Sequence, residues 1–172
     1  MAVNSGLKDI LLVIDVQNGL SLAANFDELV TKINQRIDQY RQAHRPIVFV
    51  QHVDEDLPYA SQAWQLAPGL HRQPADRVIL KYHSDSFFET GLADFLHHRS
   101  ISAVEVCGLQ TEYCIDTAIR VGHDLGFKMA IISGLDSTFD TKDLSANQII
   151  KHHEMIWNGS FAEVMSEPIN WV

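Results

Sequence analysis

Short, near-continuous apolar runs alternate with segments of helical periodicity, and this alternation restricts the fold more than any other feature of the chain. Residues 9–16 contain Ile10-Leu11-Leu12-Val13-Ile14, too continuously apolar for a half-exposed strand. Such runs belong to parallel strands buried on both faces. Similar runs follow at Ile47 to Val53, 76–81, 101–107, Lys128 to Ser133 and Phe161 to Met165. Between them the spacing predicts helices over 26–43, 88–98, 112–125 and 144–157. In the first, Leu29, Val30, Ile33, Ile37 and Tyr40 share a face, and Asn25 with Glu28 resembles a capping box. No linker, repeat or low-complexity tract interrupts the series. The expectation is one doubly wound α/β domain over residues 1–172. One connection is long: Asp54 to Pro74 holds three prolines and one glycine, and long ordered loops are often functional.

In doubly wound sheets, ligands bind outside the carboxyl ends of the strands. Asp15, Gln51, Lys81 and Gln110 fall at or just past such ends, and Cys114 opens the helix after the fourth strand. A thiol near a helix N-terminus faces unpaired N–H groups and the positive dipole end, which favour thiolate. Lys81 beside Asp15 and Cys114 would lower the pKa of both. An acid, a cation and a nucleophile at one sheet edge make a candidate catalytic set. Cys107, at a strand end, reads as a small buried hydrophobe, and no disulfide with Cys114 is expected in a reducing compartment.

Bulk properties narrow the partners. The net charge of −9 argues against broad binding to nucleic acid or to an anionic membrane, both of which need a basic face. No apolar run approaches the ~20 residues that span a bilayer. Met1 to Lys8 lacks the basic stretch and apolar centre of a secretory signal, so a cytoplasmic protein is expected. Nine histidines form no three-ligand spacing, so no metal is expected. Gly108-Leu109-Gln110 lacks the further glycines of a dinucleotide fingerprint, and no cofactor is implied.

Three segments carry a resemblance. Leu12-Val13-Ile14-Asp15-Val16-Gln17-Asn18 resembles the first signature of the isochorismatase-like cysteine hydrolases. The run from Lys81-Tyr82-His83-Ser84-Asp85-Ser86 to Leu92 resembles the second. Gly108-Leu109-Gln110-Thr111-Glu112-Tyr113-Cys114-Ile115-Asp116-Thr117-Ala118 resembles the third. The resemblance implies a Rossmann-like three-layer α/β/α fold with a six-stranded parallel sheet. It implies a triad of Asp15, Lys81 and Cys114, a cis Leu109–Gln110 peptide, and an oxyanion hole from the N–H groups of Gln110 and Cys114. It also implies a homo-oligomer, dimer or tetramer. The metal-binding Asp-x-His of the nicotinamidase branch is replaced by Gln51-His52-Val53-Asp54, which points to the metal-free amidase-like branch. Gln17, Leu20, Trp64, Phe87 and Tyr113 are the expected substrate-binding residues for a small molecule. Three readings follow: a cysteine amidohydrolase, a vinyl-ether hydrolase acting on an isochorismate-like substrate, and a redox sensor using Cys114.

Overall fold

The computed structural model describes residues 6–166. Six strands form one parallel sheet: β1 (Ile10–Ile14), β2 (Ile47–His52), β3 (Arg77–Lys81), β4 (Ala103–Leu109), β5 (Lys128–Ser137) and β6 (Ala162–Met165). Their spatial order is β3-β2-β1-β4-β5-β6. Helices α1 (Phe26–Gln42), α2 (Leu92–His98), α3 (Asp116–Asp124) and α4 (Ala146–Trp157) make the other connections, while the long loop joins β2 to β3. Successive residues of β1 supply opposite layers of the core. Ile10, Leu12 and Ile14 pack with Leu92 and Leu96 of α2, Ala118 and Ile119 of α3, and Trp157 of α4. Leu11 and Val13 pack with Phe26, Leu29, Ile33, Ile37 and Tyr40 of α1. The fold is therefore the three-layer α/β/α arrangement. No helix among the described residues is long and apolar enough to cross a membrane.

Most differences from the expected boundaries lie at helix starts. Asn25 is left-handed, φ 53°, and its side chain makes no cap hydrogen bond. The capping box lies instead at Ser145 and Gln148, at the start of α4. α2 begins at Leu92 rather than at residue 88, because Glu89 and Gly91 both have positive φ and break the helical path. The third expected helix is divided. A π turn covers Thr111–Ile115, and α3 continues from it. β5 runs on to Ser137, through a register shift opposite Val106 and Gly108.

One polar group is built into the core. Glu105, in the middle of β4, accepts from Arg36 Nε at 2.7 Å, from Arg36 Nη2 at 2.6 Å and from Tyr40 Oη at 2.7 Å. Glu105 is fully buried, so this network pins α1 to the centre of the sheet.

Candidate active site

The strand order reverses between β1 and β4, the switch point at which open parallel sheets bind ligands. Asp15 leaves β1 with φ 54°, its N–H bonded to the Val50 carbonyl at 2.9 Å. Left-handed backbone at a non-glycine residue is uncommon and clusters at functional sites. Gly108 passes close to the end of β1. A Cβ there would fall 1.9 Å from the Ile14 carbonyl oxygen, and φ is 124°, so only glycine permits the approach. The following Leu109–Gln110 peptide is cis. The Gln110 carbonyl then accepts from the N–H groups of Tyr113 and Ile115, both at 3.1 Å. In this wide turn Cys114 lines a cavity, while Ile115 is fully buried.

Lys81 arrives from two strands away. It is paired in register with His52 at the end of β2, so both side chains leave the same face of the sheet. Lys81 Nζ lies 2.8 Å from Asp15 Oδ2, 3.1 Å from Cys114 Sγ, 2.9 Å from His52 Nδ1 and 3.2 Å from the His83 carbonyl. Burial opposes the ammonium, but the Asp15 carboxylate and the Cys114 sulfur outweigh it and hold Lys81 above its usual pKa.

The expected depression of the two acids does not occur. Burial raises Asp15 above its ordinary pKa, although Lys81 pulls the other way. Burial first, and the Asp15 carboxylate second, push the Cys114 thiol up to about 12 against the pull of Lys81. The helix start and the lysine favour thiolate, but desolvation and a like charge win. Cys114 therefore rests as a neutral thiol. Asp15 Oδ1 is buried without a hydrogen-bond partner, free to receive a proton.

His52 is the site residue that sequence reasoning misses. An ammonium has no lone pair, so Nδ1 must accept from Lys81, and the ring proton belongs on Nε2. That nitrogen lies 3.0 Å from Asp54 Oδ2. The available signal was position: His52 ends a strand on the same edge as Asp15 and Lys81. A carboxylate oxygen of Asp15, a ring nitrogen of His52 and Cys114 Sγ lie within 4.8 Å of one another, a donor set that suits a transition metal. Lys81 Nζ touches all three residues, so an ammonium already stands where such a cation would.

The cavity has a volume of about 850 Å³ and includes Asp15, Gln110 and Cys114, with Leu20, Leu57, Tyr113 and Phe139 on its apolar walls. Of the expected substrate-binding residues, Leu20 and Tyr113 therefore line it. Three others do not. Gln17 is fully buried, and its side-chain amide donates to the carbonyls of His52 and Trp64 while accepting from the His52 N–H. It is a strut between β2 and the long loop. Trp64 packs on Tyr59, ring centroids 4.9 Å apart, and its carbonyl serves Gln17 and Gln51. Phe87 belongs to the core, stacked on Phe127 at 5.9 Å. Behind the site, Thr111 Oγ1 donates to Asp136 Oδ2 at 2.6 Å, tying the π turn to β5. Burial pushes the Asp136 carboxyl up to about 7, with Glu154 and Glu112 adding to the effect against the Thr111 bond.

Comparison with known proteins places this geometry. Residues 9–166 match the isochorismatase domain. A crystal structure of an isochorismatase family protein is 41% identical with a TM-score of 0.87, covering 92% of this chain and 97% of that one. The uncharacterized isochorismatase family protein YrdC of Bacillus subtilis (strain 168) is 25% identical over 148 residues, 79% of this chain and 77% of its own. Streptothricin hydrolase of Streptomyces noursei is 26% identical over 138 residues, 76% of this chain and 54% of its own, so the chain spans about half of that relative. The family match runs from β1 to β6 and takes in every strand end that builds the cavity. This chain belongs to the isochorismatase family and is a hydrolase.

Proposed function

We propose that the chain is a cysteine amidohydrolase acting on a small-molecule amide. The observation that carries this reading is the Lys81 ammonium in contact with both the Asp15 carboxylate and the Cys114 sulfur. A buried thiol with a pKa near 12 needs its proton removed as it attacks. Asp15 takes that proton, and its raised pKa makes it a better base than an ordinary aspartate. Lys81 stabilises the sulfur anion as it forms. Sγ adds to the amide carbonyl, and the N–H groups of Gln110 and Cys114 hold the oxyanion. Asp15 returns the proton to the departing nitrogen, which leaves as ammonia or an amine. Water, deprotonated by Asp15, then hydrolyses the Cys114 thioester and releases the acid. Vinyl-ether cleavage needs only proton delivery by Asp15 and would leave the contact between Lys81 and Cys114 without a task. The relative that carries the name streptothricin hydrolase supports hydrolysis.

Intact-mass spectrometry across a panel of small amides tests the reading. An acyl adduct should accumulate on Cys114 and be absent from Cys114→Ala. Asp15→Asn should lower kcat by about 10²–10⁴-fold. Full turnover by Cys114→Ala would rule the mechanism out.

A further inference from the structure

We propose that this site selects amides bearing a positive charge, an ammonium or guanidinium group close to the scissile carbonyl. The inference rests on the amidohydrolase reading for the reaction, and on the charges around the cavity for the selection. Among the described residues that line the cavity there is no lysine or arginine, but there are three aspartates: Asp15, Asp54 and Asp56. Lys81 is buried behind the wall and bonded to Asp15, so that pair offers little net charge to an entering molecule. Asp54 is held in place: its Oδ1 accepts from the N–H groups of Asp56 and Leu57 at 2.9 and 2.8 Å, and its Oδ2 faces His52 Nε2. The Asp56 carboxylate is exposed and makes no hydrogen bond or ion pair among the described residues. The cavity lining therefore includes one fixed and one uncommitted carboxylate besides Asp15 and Cys114.

A second feature points to a ligand rich in N–H donors. Asp15 lines the cavity and its Oδ1 is buried without a hydrogen-bond partner, so its carboxylate has spare acceptor capacity for a donor. Tyr113 adds an aromatic side chain, a surface that cations tolerate well. The net charge of −9 draws cations toward the molecule and repels anions. An isochorismate-like substrate carries two carboxylates, and no lysine or arginine among the described lining residues would receive them.

Two measurements on the full chain test the proposal. In the first, Cys114 is labelled with three methanethiosulfonates of matched size, carrying a trimethylammonium, a hydroxyl or a sulfonate group. Cys107 is fully buried, so labelling reports Cys114, and the readout does not depend on amide turnover. The cationic reagent should react fastest and the sulfonate slowest, with about tenfold between neighbours at low salt and less at high salt. Asp56→Asn should cut the ratio of cationic to neutral rates several-fold. Asp124→Asn, an equal change of charge at the exposed end of α3, should leave the ratio unchanged. In the second measurement, kcat/KM is compared for β-alaninamide, butyramide and succinamate, with the cationic amide expected to lead through a lower KM. A sulfonate reagent as fast as the cationic one, or a preference for succinamate, would overturn the charge selection and leave the mechanism standing. The mechanism fails on its own separate result, turnover without Cys114.

Discussion

Lys81 has three N–H donors and four acceptors within reach, so the directions of its bonds depend on which acceptors are held still. His52 is held on both sides: Gln17 grips its backbone and Asp54 faces its Nε2. His52 Nδ1 thus fixes one ammonium hydrogen and leaves the others for Asp15 and Cys114. An asparagine keeps an acceptor close to the position of Nδ1, whereas a leucine removes it. His52→Leu should lower kcat by about 10–100-fold, the worth of a hydrogen bond to a charged group, and His52→Asn should recover most of the loss. Steady-state kinetics of both variants on one amide check this, and equal losses would deny the acceptor role. Position along the chain singles out Asp15, Lys81 and Cys114 as candidates, because all three lie at or near strand ends or turns, and the fold brings the three side chains together. It does not reveal the direction of a side chain. Gln17 and Phe87 lie near Asp15 and Lys81 in sequence, yet Gln17 folds back as a strut and Phe87 turns into the core. Nor does it give the balance of burial against charge that leaves Cys114 a thiol.

Strands are the most legible elements here, since a continuous apolar run has few other places to go in a chain of this pattern. Helix starts are less so. Asn25 and Glu89 take positive φ, and the apolar periodicity that marks the helices does not show it, although asparagine is a residue type that favours this region. The polar network between α1 and β4 is similarly non-local, joining Arg36 and Tyr40 to Glu105 across 69 and 65 positions. Breaking one partner of a buried ion pair strands the other charge, at a cost of about 3–5 kcal/mol. Glu105→Ala should therefore lower stability by about that amount, read from urea unfolding midpoints. Its specific activity should survive at low temperature, because the hydrogen-bond partners of Glu105 among the described residues, Arg36 and Tyr40, do not line the cavity. A loss below about 1 kcal/mol would mean that water reaches the stranded arginine.

Across the whole molecule, stability should carry a pH signature from Asp136. Its folded pKa of about 7 stands above the ordinary carboxylate value of 3.8. An acid raised in this way contributes stability that is fully present below the unfolded pKa and is lost as pH rises through the folded one. Asp9 and Asp76 are lowered, and their contributions are complete above about pH 4. The window between about pH 5 and about pH 8 therefore isolates Asp136 when wild type is compared with Asp136→Asn. Wild type should lose stability relative to the variant as pH rises across that window, in thermal or urea unfolding. A difference independent of pH would show that Asp136 is ionised throughout. The same titration acts on the bond to Thr111, and so on the turn that carries Cys114.

The protonated resting state of Cys114 also bears on survival between turnovers. Peroxide oxidises thiolates, and the oxidation ladder beyond the sulfenic acid is irreversible for most proteins. A thiol with a pKa near 12 presents roughly a thousandth or less of the thiolate that a free cysteine shows at neutral pH. Inactivation by peroxide should accordingly be far slower than that of an exposed cysteine, and it should steepen as pH is raised, which a timed loss of activity would register. A sensor would need the reverse. The burial that holds the proton on Cys114 also shelters its sulfur from oxidants.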